Sequence, residues 1–147
     1  MKVKCVILFI LLTLFLMTEP TPVYEGCDPL ARLTFHFYHT NFWHLLANGL
    51  CLWVMKRIRW VEAYVTAVVC SVCIVHPTIG MSGVIFAAIG LNLGAAKGGL
   101  KRLMKTAAYA AVFGLLPGVS MGFHLMTLGI GWILGRAWRP VKGGTDG

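Results

Sequence analysis

Charge is what this sequence has least of. Only 12% of its 147 residues are charged, where a soluble globular domain carries about 25%. Asp and Glu together number five, too few for a chemistry built on paired carboxylates. No internal repeat or low-complexity tract interrupts the chain, which excludes a solenoid and fits one domain over residues 1–147. The five cysteines show no zinc-type spacing. Cys70 and Cys73, three apart in an apolar stretch, read as small packing residues. No motif calls for a metal or a cofactor, and none is expected.

What is abundant is apolar surface. Hydrophobic residues make up 58% of the chain and the mean hydropathy is +0.77. The net charge of +8 could suggest nucleic acid, but the basic residues form no single stripe or patch and fall between apolar runs. That is how loop charges orient a membrane protein, so no nucleic-acid partner is expected. Six runs stand out, at about 3–18, 42–55, 60–76, 82–96, 103–119 and 121–138. They predict an all-α membrane protein, a bundle of six transmembrane helices embedded in a lipid bilayer. Several runs are shorter than the roughly 20 residues that cross a core of about 30 Å. Helices that start part-way into the membrane, the fourth above all, or local thinning of the bilayer account for that.

Placing the N-terminus in the cytoplasm puts twelve of the thirteen Lys and Arg inside and leaves Arg32 outside with Glu19, Glu25 and Asp28. This charge bias predicts a multi-pass protein of a bacterial-type cell membrane with both termini cytoplasmic. The opening MKVK and the run from Cys5 to Met17 also have the form of a signal peptide. TEPTP, however, offers no small-x-small cleavage site, and either way the second run starts outside. The tail GGTDG reads as disordered.

Polar groups inside such runs are expensive and tend to be functional. His44 and Asn48 lie in the second run, Ser82 in the fourth and His124 in the sixth. All three runs point from outside to inside, so the distance to the first cytoplasmic charge measures depth. At about 1.5 Å per residue, His44 is about 18 Å from Lys56, Ser82 about 22 Å from Lys97 and His124 about 18 Å from Arg136. Three polar groups on three helices thus share one level, with Asn48 a turn deeper than His44 on the same face. Small residues follow both Ser82 (Gly83, Ala87, Gly90, Gly94) and His124 (Thr127, Gly131, Gly135). Such faces let helix backbones approach closely, as a short serine side chain needs in order to reach a histidine. Taken singly, each group has a plainer reading. A membrane-helix serine commonly bonds the carbonyl four residues back, and His44, Asn48 or His124 can glue helices together. Coincident depth and facing small residues are what those readings leave unexplained.

GMSG at 80–83, His124 followed by Gly131 and Gly135, and His44-x-x-x-Asn48 together resemble the rhomboid intramembrane serine proteases, from the second run to the sixth. The resemblance implies that Ser82 is the nucleophile and His124 its general base. It implies that His44 and Asn48 join the Ser82 N–H in holding the oxyanion, and that Phe86 stacks on the histidine where many members carry tyrosine. His39 matches a second histidine of the family motif. The Trp-Arg signature common in the first outer loop is absent. Independently of the likeness, a serine needs a base, and no Asp or Glu lies in the three runs concerned, so the residues allow a Ser–His dyad and no triad. Water needs a polar cavity opening between HPT (76–78) and LLPGVS (115–120). The function expected is hydrolysis of peptide bonds in or near transmembrane segments of other proteins. Two alternatives stand beside it: an inactive rhomboid-like protein binding client helices, and a channel using the polar groups as a path.

Overall fold

A computed structural model of the chain describes residues 2–19, 22–113 and 120–138. Regular structure there is helical: α1 (Lys2–Met17), α2 (Pro29–Thr34), α3 (Phe42–Val54), α4 (Trp60–Cys70), α5 (Ser82–Ala95), α6 (Gly99–Phe113) and α7 (Met121–Ala137). Two 3₁₀ turns, Phe35–Phe37 and Ser71–Cys73, follow α2 and α4. Local chemistry sets several starts. The Asp28 side chain accepts from Leu30 N at 2.7 Å with Pro29 just behind it, and the Asn41 side chain accepts from His44 N at 2.9 Å, each satisfying a backbone donor that a helix start leaves free.

The all-helical character stands, but the six-span membrane bundle does not. Among the described residues no helix is long and apolar enough to cross a membrane. The longest, α7, has 17 residues and rises about 26 Å at 1.5 Å per residue, short of a core of about 30 Å. The other runs break sooner. α3 ends at Val54 in the turn that carries Lys56 and Arg57, and α4 stops at Cys70, tightening into a 3₁₀ turn before extended Ile74. α6 begins with Lys101, Arg102 and Lys105 in its first two turns, which dilutes its apolar character. The multi-pass membrane location, the cytoplasmic termini and a fourth helix starting inside a bilayer lose their basis with the spans. A seventh α-helix, α2, comes from the stretch read as an outer loop. The end of the 103–119 run, residues 115–119 of LLPGVS and the GGTDG tail lie outside the described residues.

α5 sits at the centre. Its Val84, Ile85, Ala87, Ala88 and Leu91 are buried, and it packs on α3, α4, α6 and, most extensively, α7. The pairing with α7 is backbone against backbone. A Cβ on Gly90 would stand 2.8 Å from Trp132 N, and one on Gly94 2.7 Å from Arg136 N. From the other side, a Cβ on Gly135 would stand 2.8 Å from the Leu91 carbonyl carbon, and one on Gly131 would run into the Ala87 carbonyl oxygen. Backbone cannot move aside as a flexible side chain does, so the absence of side chains on these four residues sets the spacing of the pair.

Gly90→Ala is therefore expected to destabilise the protein by about 1–3 kcal/mol through overpacking. Gly129→Ala, on the same pair of turns of α7 but with nothing within 4 Å of the new methyl, should be neutral or slightly stabilising. Denaturant midpoints compare the two, and equal losses would contradict this account of the α5–α7 contact.

Candidate active site

The site forms where α5 starts. Ser82 is its first residue, half-buried, and the segment leading to it is held by three backbone hydrogen bonds at two points. Val23 and Thr78 exchange backbone hydrogen bonds of 2.8 and 2.9 Å, and Gly80 N donates to the Phe35 carbonyl at 3.0 Å. Gly80 itself has φ +110°, a conformation that residues with a Cβ rarely adopt. Its missing side chain also makes room for His44, since a Cβ there would lie 2.6 Å from Cε1 and 2.8 Å from Nε2. Gly83 gives way in the same manner to the ring of Phe123.

The close approach of α5 and α7 brings Ser82 Oγ to 2.7 Å from His124 Nε2. With the imidazole proton on Nδ1, the serine hydroxyl donates to the Nε2 lone pair, the arrangement a general base needs. His124 is buried, and its ring lies on that of Phe86, centroids 4.7 Å apart and planes 23° from parallel. That stacking orients the ring where a triad would use a carboxylate. Among the described residues no Asp or Glu bonds to His124. Thr127, next along the helix, donates within α7 to the Phe123 and His124 carbonyls at 3.0 and 3.1 Å.

His44 and Asn48 lie against Gly80. Asn48 Nδ2 is 2.9 Å from His39 Nε2. If it donates there, its second N–H is left over. Thr40 Oγ1 is 3.4 Å from His44 Nδ1; donating to that nitrogen, it leaves the ring proton on Nε2, along the edge that faces Gly80. The Ser82 N–H is among the first four of α5, which have no acceptor inside the helix. Three donors thus surround the short stretch from Gly80 to Ser82. A cavity of about 670 Å³ opens between Cys73–Thr78 and the start of α7, with Ser120, Phe123 and Met126 on its far wall; Ser82, His124, His44 and Asn48 are not among its lining residues. HPT and Ser120 border it; the rest of LLPGVS lies outside the described residues. Among the described residues no group of three His, Cys, Asp or Glu is placed to hold a metal ion, and the five cysteines are free thiols.

Several contributors were not evident from the sequence. Phe35 is fully buried, supplies the carbonyl that holds Gly80 and packs 5.9 Å from the Phe123 ring. His36 is fully buried too, 3.8 Å from the Phe35 centroid and 5.5 Å from that of Tyr64. Neither of its ring nitrogens makes a hydrogen bond of normal geometry among the described residues. Loop periodicity carries no signal for such contacts. Two further polar residues, Asn92 of α5 and Thr127 of α7, each donate to a backbone carbonyl.

Compared with family models, with curated proteins and with solved structures, the chain matches none. The chemistry of the site therefore rests on its geometry.

Burial pushes the His36 imidazole down from the usual 6.5 to about 3, opposed by the nearby Gly80 backbone. Burial, aided by His44 and opposed by the Phe37 backbone, takes His39 to about 4. Both pKa values lie below the unfolded value. The stability from keeping these rings neutral is thus complete above about 6.5 and is lost as pH falls toward 4 and 3. His36→Phe keeps a ring between Phe35 and Tyr64 but removes one titration. Its thermal midpoint should drop less between pH 7 and pH 4 than that of the parent, and parallel curves would refute this.

Proposed function

We propose that the chain is a serine endopeptidase of the rhomboid type, acting through a Ser82–His124 dyad on transmembrane segments of other proteins. The observation that carries the reading is the 2.7 Å approach of Ser82 Oγ to His124 Nε2, with the imidazole held by Phe86. Burying a hydroxyl and an imidazole as partners on two helices has a structural use. A cavity bordered by Thr78 and Phe123, the chain neighbour of His124, and the polar groups His44 and Asn48 against Gly80 add what packing alone does not require.

The reaction follows from these groups. Ser82 Oγ attacks the peptide carbonyl carbon while His124 Nε2 takes the hydroxyl proton. The carbonyl oxygen, now anionic, accepts from the Ser82 N–H, the spare Asn48 N–H and His44 Nε2–H. As the C–N bond breaks, His124 returns the proton to the leaving amine and an acyl-Ser82 remains. Water entering by the 670 Å³ cavity loses a proton to His124, attacks the acyl carbon and releases the carboxylic acid and Ser82. A helical substrate has to unwind to present its bond, which favours small, helix-breaking residues near the cut. An inactive client-binding protein would use neither the hydrogen bond nor the donors.

A fluorophosphonate probe should label the full chain, with labelling lost in Ser82→Ala and His124→Ala while both variants stay folded. Cleavage of a reporter with a transmembrane segment should vanish with it. Asn48→Ala is expected to lower the cleavage rate by about 10²–10³-fold. Labelling or cleavage that survives Ser82→Ala would sink the dyad.

A further inference from the structure

The dyad chemistry draws on none of the five cysteines, and two of them stand apart from the rest. Cys70 and Cys73 flank Ser71 and Val72, and no other pair lies within one turn of chain. Cys70 ends α4 with φ −62° and ψ −26°, and Ser71 continues at φ −63° and ψ −18° into the 3₁₀ turn Ser71–Cys73. In helical backbone, residues three apart have Cβ atoms about 5–6 Å apart, and in a 3₁₀ turn their side chains eclipse. A disulfide asks for about 3.5–4.5 Å between Cβ atoms, so the turn has to tighten by only about 1–2 Å for the sulfurs to join. Its middle is already ordered. The Arg32 guanidinium donates to the Ser71 carbonyl, Ile74 N donates to the same oxygen at 3.1 Å, and Ser71 Oγ donates to the Val68 carbonyl at 2.6 Å.

The surroundings of the two thiols differ. Packing accounts for Cys70, which is 2% exposed and belongs to the core with Ala67, Ile74 and Met81. It does not account for Cys73, which is exposed and lines the 670 Å³ cavity together with His76, Thr78 and Phe123. Burial pushes the Cys70 thiol up to about 11, and the neighbouring Cys73 sulfur adds to the shift. One thiol is thus protected and the other open to a reagent, as a resolving and an attacking cysteine are. Both lie at the carboxyl end of α4, where the helix dipole gives a thiolate no support. A reduced form without that support favours the disulfide. The cavity volume is within the range that small molecules occupy, so Cys73 is within reach of one in the folded protein. A metal would need further ligands, and among the described residues no group of three His, Cys, Asp or Glu gathers to supply them.

We propose that Cys70 and Cys73 form a redox-active dithiol site, oxidised to an intramolecular disulfide by exchange with a low-molecular-weight disulfide that enters the cavity. The Cys73 thiolate attacks one sulfur of the reagent, whose S–S bond breaks, and the thiolate that leaves takes a proton from water. Cys70 Sγ then gives its proton to solvent, attacks Cys73 Sγ and expels the second half of the reagent as a thiolate. Two protein thiols are oxidised and one disulfide is reduced to two thiols. The site uses neither Ser82 nor His124, and the proposal does not rest on the peptidase reading. It is tested by incubating the reduced full chain with oxidised glutathione, alkylating the remaining thiols and weighing the proteolytic peptides. The peptide that holds Cys70 and Cys73 should lose two hydrogens and carry no glutathione, and dithiothreitol should restore both thiols. It should outnumber the glutathione adduct of Cys73 by at least about tenfold, because the second thiol acts at an effective concentration of millimolar or more. Cys70→Ala should stop at that adduct, and Cys73→Ser should leave Cys70 unreacted, with circular dichroism showing both variants folded. A Cys73 adduct that persists in the parent, a bond from Cys73 to Cys27, or glutathione on Cys70 in folded Cys73→Ser would overturn the proposal.

Discussion

The contact on which the rest of the structure depends is the approach of two helix backbones, α5 and α7. A serine side chain reaches barely past its own Cβ, so a hydroxyl on one helix meets an imidazole on another only where the backbones nearly touch. Gly90 and Gly94 on α5 face Trp132 and Arg136 on α7, and Gly131 and Gly135 face Ala87 and Leu91. Because the glycines alternate between the helices, neither can slide or roll without pressing a backbone carbonyl into a Cα. The 2.7 Å hydrogen bond at one end of the pair is a consequence of this spacing several turns away.

A second constraint acts at the start of α5. A helix N-terminus supplies a free N–H only if the chain ahead of it turns away at once. The Val23–Thr78 bridge and the Phe35–Gly80 bond hold that incoming chain, while the positive φ of Gly80 turns it. The same turn opens the space that His44 fills from α3. One glycine thus serves both backbone geometry and the placement of a side chain on another helix. The Phe123 ring, in the gap left by Gly83 and against Phe35, joins these supports to the helix that bears His124.

Charge divides the molecule along the same axis. Ser82 sits at one end of α5, and the exposed basic residues Lys56, Arg57, Lys97 and Arg136 lie toward the other. Among the described residues the exposed Trp53 and Trp138 stack on no other ring, whereas Phe86 stacks on His124.

The sequence by itself determined where six of the seven described α-helices form, since 3.6-residue packing needs only local apolar runs, whereas α2, in a stretch without such a run, was missed. It also singled out the residues that the proposed site draws on: Ser82, His124, His44, Asn48 and Phe86 stand out as polar or aromatic groups beside small ones. It could not determine how far each helix continues. The ends of α3 and α4 depend on turns closed by partners distant in sequence, and composition alone therefore overstated the runs into membrane spans. Val23, Phe35 and His36 were equally hidden, because a loop residue's role lies in contacts that no periodicity encodes. Tertiary structure decided those contacts, together with the distance between Ser82 and His124. A hydrogen bond is settled within a few tenths of an ångström, and only the packing of two glycine faces fixes separations that finely.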